Sequence, residues 1–598
     1  MKQKISNHMK NNWQEYASVI LMLFIITVAM IYKFNLFNFD ITYPIAYSGG
    51  DDLSMLVDAK MFSEQGWIMT TDRLGAPNGT QMYDFSANYL HNAGMVIMKI
   101  FVFLAGGNAV VGFNLTYLSI FIFAGIVSYI VMRQIGINCW ISALTSAVYG
   151  MSPFMLARGV GHMVLAEAYF VPLSFLLCFY ILEREEVFKF DKQFFKRPIN
   201  YVVIVIALLI ANNGIGYYPY FTCFILLVTG VCKWLKNKKP EGFVRALSIC
   251  AVIAVFFILC MVPAKIYNLQ HGANQDAVSR AGFIETEMYG LKLIMLFMPR
   301  NAHGIGIIQK AIDMYDSNTT YLNENVTEYL GIIAIIGFFI LMFTLFMNRD
   351  SALKKRLGAL SEINIMLVLL GTTSGLGTMI AFLITDKIRG YNRISIFIEY
   401  VCILAGGGVF VGVAMLMGAI VDKLKADKRT ASIIVTAVTG LVCVFSIWEG
   451  CGGKTPTETY KAIQAEYASD DKLVSYIESS VDEGSMLYQL PYHKYPEGES
   501  QNDMWDYHLF VGYLHSDTLK WSYGSVKGRE GDSWNEEIGS LKADDMVKAL
   551  KEAGFAGIYI DRRAYLAEQI EQLESDLTEA TGTKPVISDN GCLSFYKF

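Results

Sequence analysis

Two adjacent aspartates, Asp51 and Asp52, stand in a Gly-Gly-Asp-Asp-Leu run that closely follows the first membrane-length apolar segment. A carboxylate at the end of a membrane span can take a proton from an attacking hydroxyl or hold a divalent metal, and the two glycines let the backbone turn tightly beside a ligand. One of the pair is also well placed to cap a helix over 53–65, because Asp ahead of Leu-Ser-Met-Leu-Val is a good N-cap. Charged side chains near a bilayer are expensive, so each is a functional candidate. Arg158 and His162 lie in Ala-Arg-Gly-Val-Gly-His. Arg280 precedes Glu285-Thr-Glu287-Met-Tyr289, Glu328 precedes Tyr-Leu-Gly, and Arg389 and Arg393 flank Gly-Tyr391-Asn. Arginine's planar fork suits a phosphate, and a helix through Arg389 and Arg393 would put both on one face. The four arginines are therefore candidate phosphate ligands. Asp84, His91, His162, Glu285, Glu287, Tyr289, Glu328 and Tyr391 are candidate substrate contacts.

What must position these residues is a membrane protein. Of 598 residues, 54% are hydrophobic and only 17% charged, against about a quarter charged in soluble domains. The first apolar segment, roughly 16–32, is too long for a cleaved leader and has no small-residue cleavage site after it. Further apolar stretches follow near 109–132, 138–155, 166–182, 199–212, 217–235, 246–264, 329–347, 360–384, 394–420 and 431–449. Lys and Arg cluster in alternate gaps, as at Lys233, Lys236, Lys238 and Lys239, and the positive-inside rule assigns those gaps to the cytoplasm. About eleven spans result, with the N-terminus inside. Segment 91–104 reads as a helix at the outer face, since a crossing there would break the alternation. The candidate residues then all fall in outward gaps, chiefly loops 34–90 and 265–328.

From residue 450 the composition changes. Fourteen Lys and Arg stand against 26 Asp and Glu, a net of −12, while the preceding residues carry 35 against 28, a net of +7. Strands at 485–490, 556–560 and 593–596 alternate with helices at 543–553 and 564–578, which predicts a soluble, extracytoplasmic α/β domain over 450–598 behind a membrane domain over 1–449. No phosphate loop, nucleophile elbow or zinc spacing occurs in it. Cys451 and Cys592 flank the tail and leave a disulfide open.

Gly-Asp-Asp after the first span, Arg73-Leu-Gly-Ala-Pro, Tyr83-Asp-Phe, Arg158-Gly-Val-Gly-His, Tyr329-Leu-Gly and Ile388-Arg-Gly-Tyr-Asn-Arg occur in this order, followed in the tail by Leu490-Pro-Tyr, Trp521-Ser-Tyr-Gly and Gly557-Ile-Tyr-Ile-Asp-Arg. The set resembles bacterial YfhO-like proteins of the GT-C-type glycosyltransferase superfamily. The resemblance implies a polytopic helical fold and a polyprenyl-phosphate-linked sugar donor. It also implies a catalytic acid residue in the first outer loop, a role that falls on Asp51 or Asp52. The expected activity is transfer of the sugar, with inversion, to a cell-surface glycan at the outer face of the bacterial cytoplasmic membrane. No cofactor is required by this reading; a divalent cation (Mg or Mn) on Asp51 and Asp52 stays open. The partners are the lipid-linked sugar, the glycan and the bilayer, with no nucleic acid. The alternatives are a transporter or flippase of lipid-linked sugars, or a non-catalytic surface-polymer assembly protein.

Overall fold

Long runs of Leu, Ile, Val and Phe with no charge can satisfy their backbone in lipid only by coiling into helices. A computed structural model of the chain describes residues 12–85, 92–278, 282–299, 303–319, 327–348, 350–424 and 428–598. Among the described residues, six helices are long and apolar enough to cross a membrane: Trp13–Lys33, Ala109–Gln134, Cys139–Arg158, Met163–Glu183, Tyr217–Asn237 and Glu241–His271. Shorter apolar helices occupy Ala93–Leu104, Pro198–Ala211, Ile332–Thr344 and Thr436–Cys451. The chain is a multi-pass membrane protein.

Several stretches that read as continuous are broken. Pro153 starts a new helix after Gly150, with the Ser152 side chain accepting from the Met155 amide, the position where a missing N–H costs nothing. Pro172 plays the same part at the start of Val171–Glu183. The 360–384 stretch is two helices, Ala352–Gly371 and Leu376–Leu383, separated by a turn in which Ser374 has φ +58°. Helix Ala93–Leu104 packs so closely on Ala109–Gln134 that a Cβ on Gly112 would lie 2.4 Å from Val102. All ten cysteines are thiols, so no disulfide joins Cys451 to Cys592.

Among the described residues, seven short strands occur. β1 (Thr70–Thr71) pairs antiparallel with β2 (Thr80–Gln81) in the first long loop. The others, β3 (Met486–Leu490), β4 (Lys520–Trp521), β5 (Phe555–Asp561), β6 (Val586–Ile587) and β7 (Leu593–Lys597), form one sheet in the order β4-β3-β5-β7-β6. β3 runs parallel to β4 and β5, and β7 runs antiparallel to β5 and β6. Helices Ala543–Glu552 and Ala567–Thr581 bury Met546, Leu550 and Leu577 with Leu490, Ile558 and Ile560 of the sheet.

The first long loop completes this sheet. Leu74 bridges Trp521 in parallel register. The Trp521 amide donates to the Arg73 carbonyl at 2.9 Å, and the Ala76 amide donates to the Trp521 carbonyl at 3.0 Å. An edge that would otherwise be open for pairing is thereby covered. On the same side the Lys60 ammonium donates to the carbonyls of Leu514 and Ser516 at 2.9 and 2.7 Å. The Tyr47 hydroxyl donates to Asp470 at 3.0 Å.

Candidate active site

The Gly-Gly-Asp-Asp turn is shaped by contacts from the far end of the chain. Gly49 has φ +84°, and a Cβ there would stand 2.2 Å from the His508 ring. Its carbonyl accepts from the Tyr507 amide at 2.8 Å, while the Trp505 amide donates to His508 Nδ1 at 2.8 Å. The helix that follows starts at Asp51, two residues before the predicted 53, and its N-cap is Gly50, so neither aspartate is the cap. Asp52 instead folds back, and its two oxygens accept from the Ser48 amide at 2.5 Å and the Ser48 hydroxyl at 2.7 Å. Both carboxylates lie in the helix's first turn, where the macrodipole favours an anion. Asp52 is buried and tied to the turn, while Asp51 is open to the space beside it.

That space is a cavity of about 450 Å³, inside the ~300–1,000 Å³ range of small-molecule sites. Asp51, Asp84 and Glu497 contribute carboxylates to its lining, and Lys387, Arg389 and Arg393 contribute cations. His162, Tyr217 and Tyr507 add polar groups, and Met163, Leu165 and Ile215 an apolar side. The protein around Asp51 raises its carboxyl pKa to about 7. Although Asp51 is accessible from the cavity, the protein walls around it strip water from the carboxylate and are the main cause; the charges of Asp506, Asp52 and Glu497 add to it, and Arg393 opposes it.

Each arginine of the cavity is held by an aromatic ring. Arg393, 9% exposed, lies 4.4 Å over Tyr217. Arg389 lies 5.4 Å over Tyr289 and donates to Glu285 at 3.2 Å. The predicted helix through both does not form: Gly390 precedes a 3-10 turn over Tyr391–Ile394, and the helix begins at Ser395. The turn still delivers both guanidinium groups to the cavity.

Other predicted contacts have structural partners instead. Glu285 is the counter-ion of Arg389, and Glu287 accepts from the Ser374 hydroxyl at 2.7 Å. The Tyr289 carbonyl accepts from the Asn392 amide at 3.0 Å. Tyr391 is buried, with its hydroxyl 3.2 Å from that of Tyr220. Glu328 and Arg158 are buried away from the lining, Arg158 lying 5.3 Å over Phe154. Asp84 reaches the cavity wall, but both its oxygens are held by Arg529, at 2.7 and 2.8 Å. His91 and Arg280 lie outside the described residues.

Lys387, Tyr217, Glu497 and Tyr507 were not predicted. Lys387 sits in the same polar link as Arg389 and was legible as a third cation there. Glu497 and Tyr507 come from the acidic tail, and nothing local in the tail marks them. Among the described residues no three His, Cys, Asp or Glu side chains cluster to hold a metal, and the Asp52 oxygens are engaged by Ser48.

Residues 19–383 match a family model described as a domain of unknown function, DUF6311. No curated protein matches the sequence. Over 98% of its length the chain is similar to the arabinofuranosyltransferase AftD from Mycobacteria, with 13% identity and a TM-score of 0.51, spanning 40% of that protein. It is also similar to ArnT from Cupriavidus metallidurans, solved bound to undecaprenyl phosphate, with 12% identity, a TM-score of 0.49 and 97% of each chain covered. A further similar structure is the oligosaccharyltransferase AglB from Archaeoglobus fulgidus, solved with an inhibitory peptide and a dolichol-phosphate. There identity is 11%, the TM-score 0.48, and the match covers 99% of this chain and 75% of that one. The likeness to AftD is one of fold.

Proposed function

The chain belongs to the DUF6311 family, and on that premise we propose that it is a membrane glycosyltransferase that moves a sugar from a polyprenyl-phosphate donor to a cell-surface glycan. The observation that carries this reading is one cavity in which Asp51, with a pKa of about 7, shares the walls with Lys387, Arg389 and Arg393. A base poised near the working pH is both unprotonated often enough and basic enough to assist a hydroxyl. Cations on the other wall suit a phosphate leaving group. The sharing of fold with an arabinofuranosyltransferase agrees with sugar transfer as the reaction class.

The chemistry follows from those positions. An acceptor hydroxyl oxygen attacks the anomeric carbon, and its proton passes to Asp51. The bond between that carbon and the phosphate oxygen breaks, its electron pair staying on the phosphate, and polyprenyl phosphate leaves. Attack opposite the leaving group inverts the anomeric centre. The charge that develops on the phosphate is met by Arg389, Arg393 and Lys387, so these cations stabilise the transition state more than the bound donor. Met163, Leu165 and Ile215 offer apolar surface for the lipid chain beside the phosphate. The basic gaps support an outer-face position for the cavity and residues 450–598, with the N-terminus inside, and the resemblance of the motifs implies a bacterial cytoplasmic membrane.

The test is donor turnover by the purified protein in lipid nanodiscs, with a polyprenyl-phosphate sugar and a surface-glycan extract. Polyprenyl phosphate released in step with labelled glycan supports transfer. In vesicles, movement of intact donor across the bilayer with no cleavage would replace transfer by flipping.

A further inference from the structure

Arg529 is more than four hundred residues from Asp84 in the chain, yet it is built into the cavity's wall. Its Nε and Nη2 donate to the two Asp84 oxygens at 2.7 and 2.8 Å, a bidentate pair in which the Asp84 side chain is 1% exposed. Asn274 adds a third donor to Asp84 at 3.1 Å. Nη1 also donates to the His271 carbonyl at 2.8 Å, and Nη2 to the Gly272 carbonyl at 3.0 Å and to Asn268 Oδ1 at 3.4 Å, at the C-terminal end of helix Glu241–His271. The Arg529 guanidinium also lies 5.1 Å from the Tyr267 ring. One cation thus answers a carboxylate, a helix C-terminus and an aromatic face together.

The electrostatic consequence concerns the cavity. Glu285 answers Arg389, so Lys387 and Arg393 face the three lining carboxylates Asp51, Glu497 and Asp84, and an uncompensated Asp84 would leave the wall net negative. Pairing with Arg529 removes that excess negative charge. We propose that Arg529 is a positioning residue for the donor: by pairing with Asp84 it cancels a carboxylate in the wall, so that an anionic lipid phosphate can settle against Lys387, Arg389 and Arg393. This rests on the transfer reading above and adds to it that the tail sets the charge of the donor site.

The role differs from a mere pin between loop, helix and tail. Removing Arg529 exposes the cavity to an uncompensated Asp84, and removing the Asp84 charge as well should cancel that effect without restoring any pin. The measurement is binding of undecaprenyl phosphate to the full chain in nanodiscs, for wild type, Arg529→Ala, Arg529→Lys and the double variant Arg529→Ala/Asp84→Asn. Adding one charge at about 10 Å in a partly buried setting changes affinity roughly tenfold. Arg529→Ala is therefore expected to bind about tenfold more weakly, while Arg529→Lys, which keeps the charge, and the double variant both return to within about threefold of wild type. A double variant as weak as Arg529→Ala overturns the charge role, as does an Arg529→Ala that binds like wild type. If wild type itself fails to bind the lipid phosphate, the transfer reading falls and this inference with it.

Discussion

The enclosing cavity walls, with Asp506, Asp52 and Glu497 nearby, hold the Asp51 carboxyl at about 7, whereas an unfolded Asp titrates near 3.9. The native state therefore keeps a proton that the unfolded chain has lost, and Asp51 makes stability fall as pH rises from about 4 to about 7. Asp51→Asn removes that proton, so its Tm should decline less than that of wild type across this window in a thermal-shift series. The catalytic consequence has the opposite sign. The base form grows through pH 7, so turnover should climb about tenfold per pH unit below 7 and level off above it. A profile with no rise between pH 5.5 and 7.5 would remove Asp51 from the proton transfer. At this scale Asp51, Arg389 and Arg393 stand out as residues of the cavity, because charged residues beside apolar spans are rare, whereas Asp52 braces the Ser48 turn. Asp84 also lines the cavity, but its pairing with Arg529 was not legible, since no local pattern announces a long-range ion pair.

The turn before the Asp51–Gln65 helix depends on a residue that can take φ +84° beside an imidazole. An L-residue in that backbone region costs about 1–2 kcal/mol before any clash is counted, and Ala at 49 would also drive its methyl into His508. Gly49→Ala should therefore lower stability by about 2 kcal/mol or more, read as a drop in denaturation midpoint. In a His508→Ala background the loss should shrink toward the backbone cost alone. An unchanged midpoint in Gly49→Ala would mean that the turn can reshape without the glycine. Apolar run length located the helices well, because lipid leaves the backbone few options. It failed at Pro153 and at the turn after Gly371, where a local break inside an apolar run leaves its mean hydropathy almost unchanged. The two-residue strands β4 and β6 were also illegible, since pairing partners rather than local pattern define them.

Across the whole molecule, the acidic tail and the first long loop share one sheet edge and one cavity. Composition marks the change at residue 450, but it carries no sign that Glu497 and Tyr507 would return to line the cavity beside Asp51. Charge asymmetry does bear on orientation. A reporter active only outside the cell should work when fused after Lys454, and one active only inside should work at Lys238. The reverse result at either site would break the assignment of loops to faces and take the cavity away from lipid-linked donors on the outer leaflet. In the transfer proposed for such donors, the central step is proton removal by Asp51. The most direct measurement compares turnover of a polyprenyl-phosphate sugar by wild type and Asp51→Asn in nanodiscs, alongside undecaprenyl phosphate binding by both. The expected result is a rate lower by roughly 10²–10⁴ with undecaprenyl phosphate affinity unchanged or up to about tenfold tighter, because the arginines are untouched and one lining carboxylate charge is lost. A variant that turns over at the wild-type rate would contradict it.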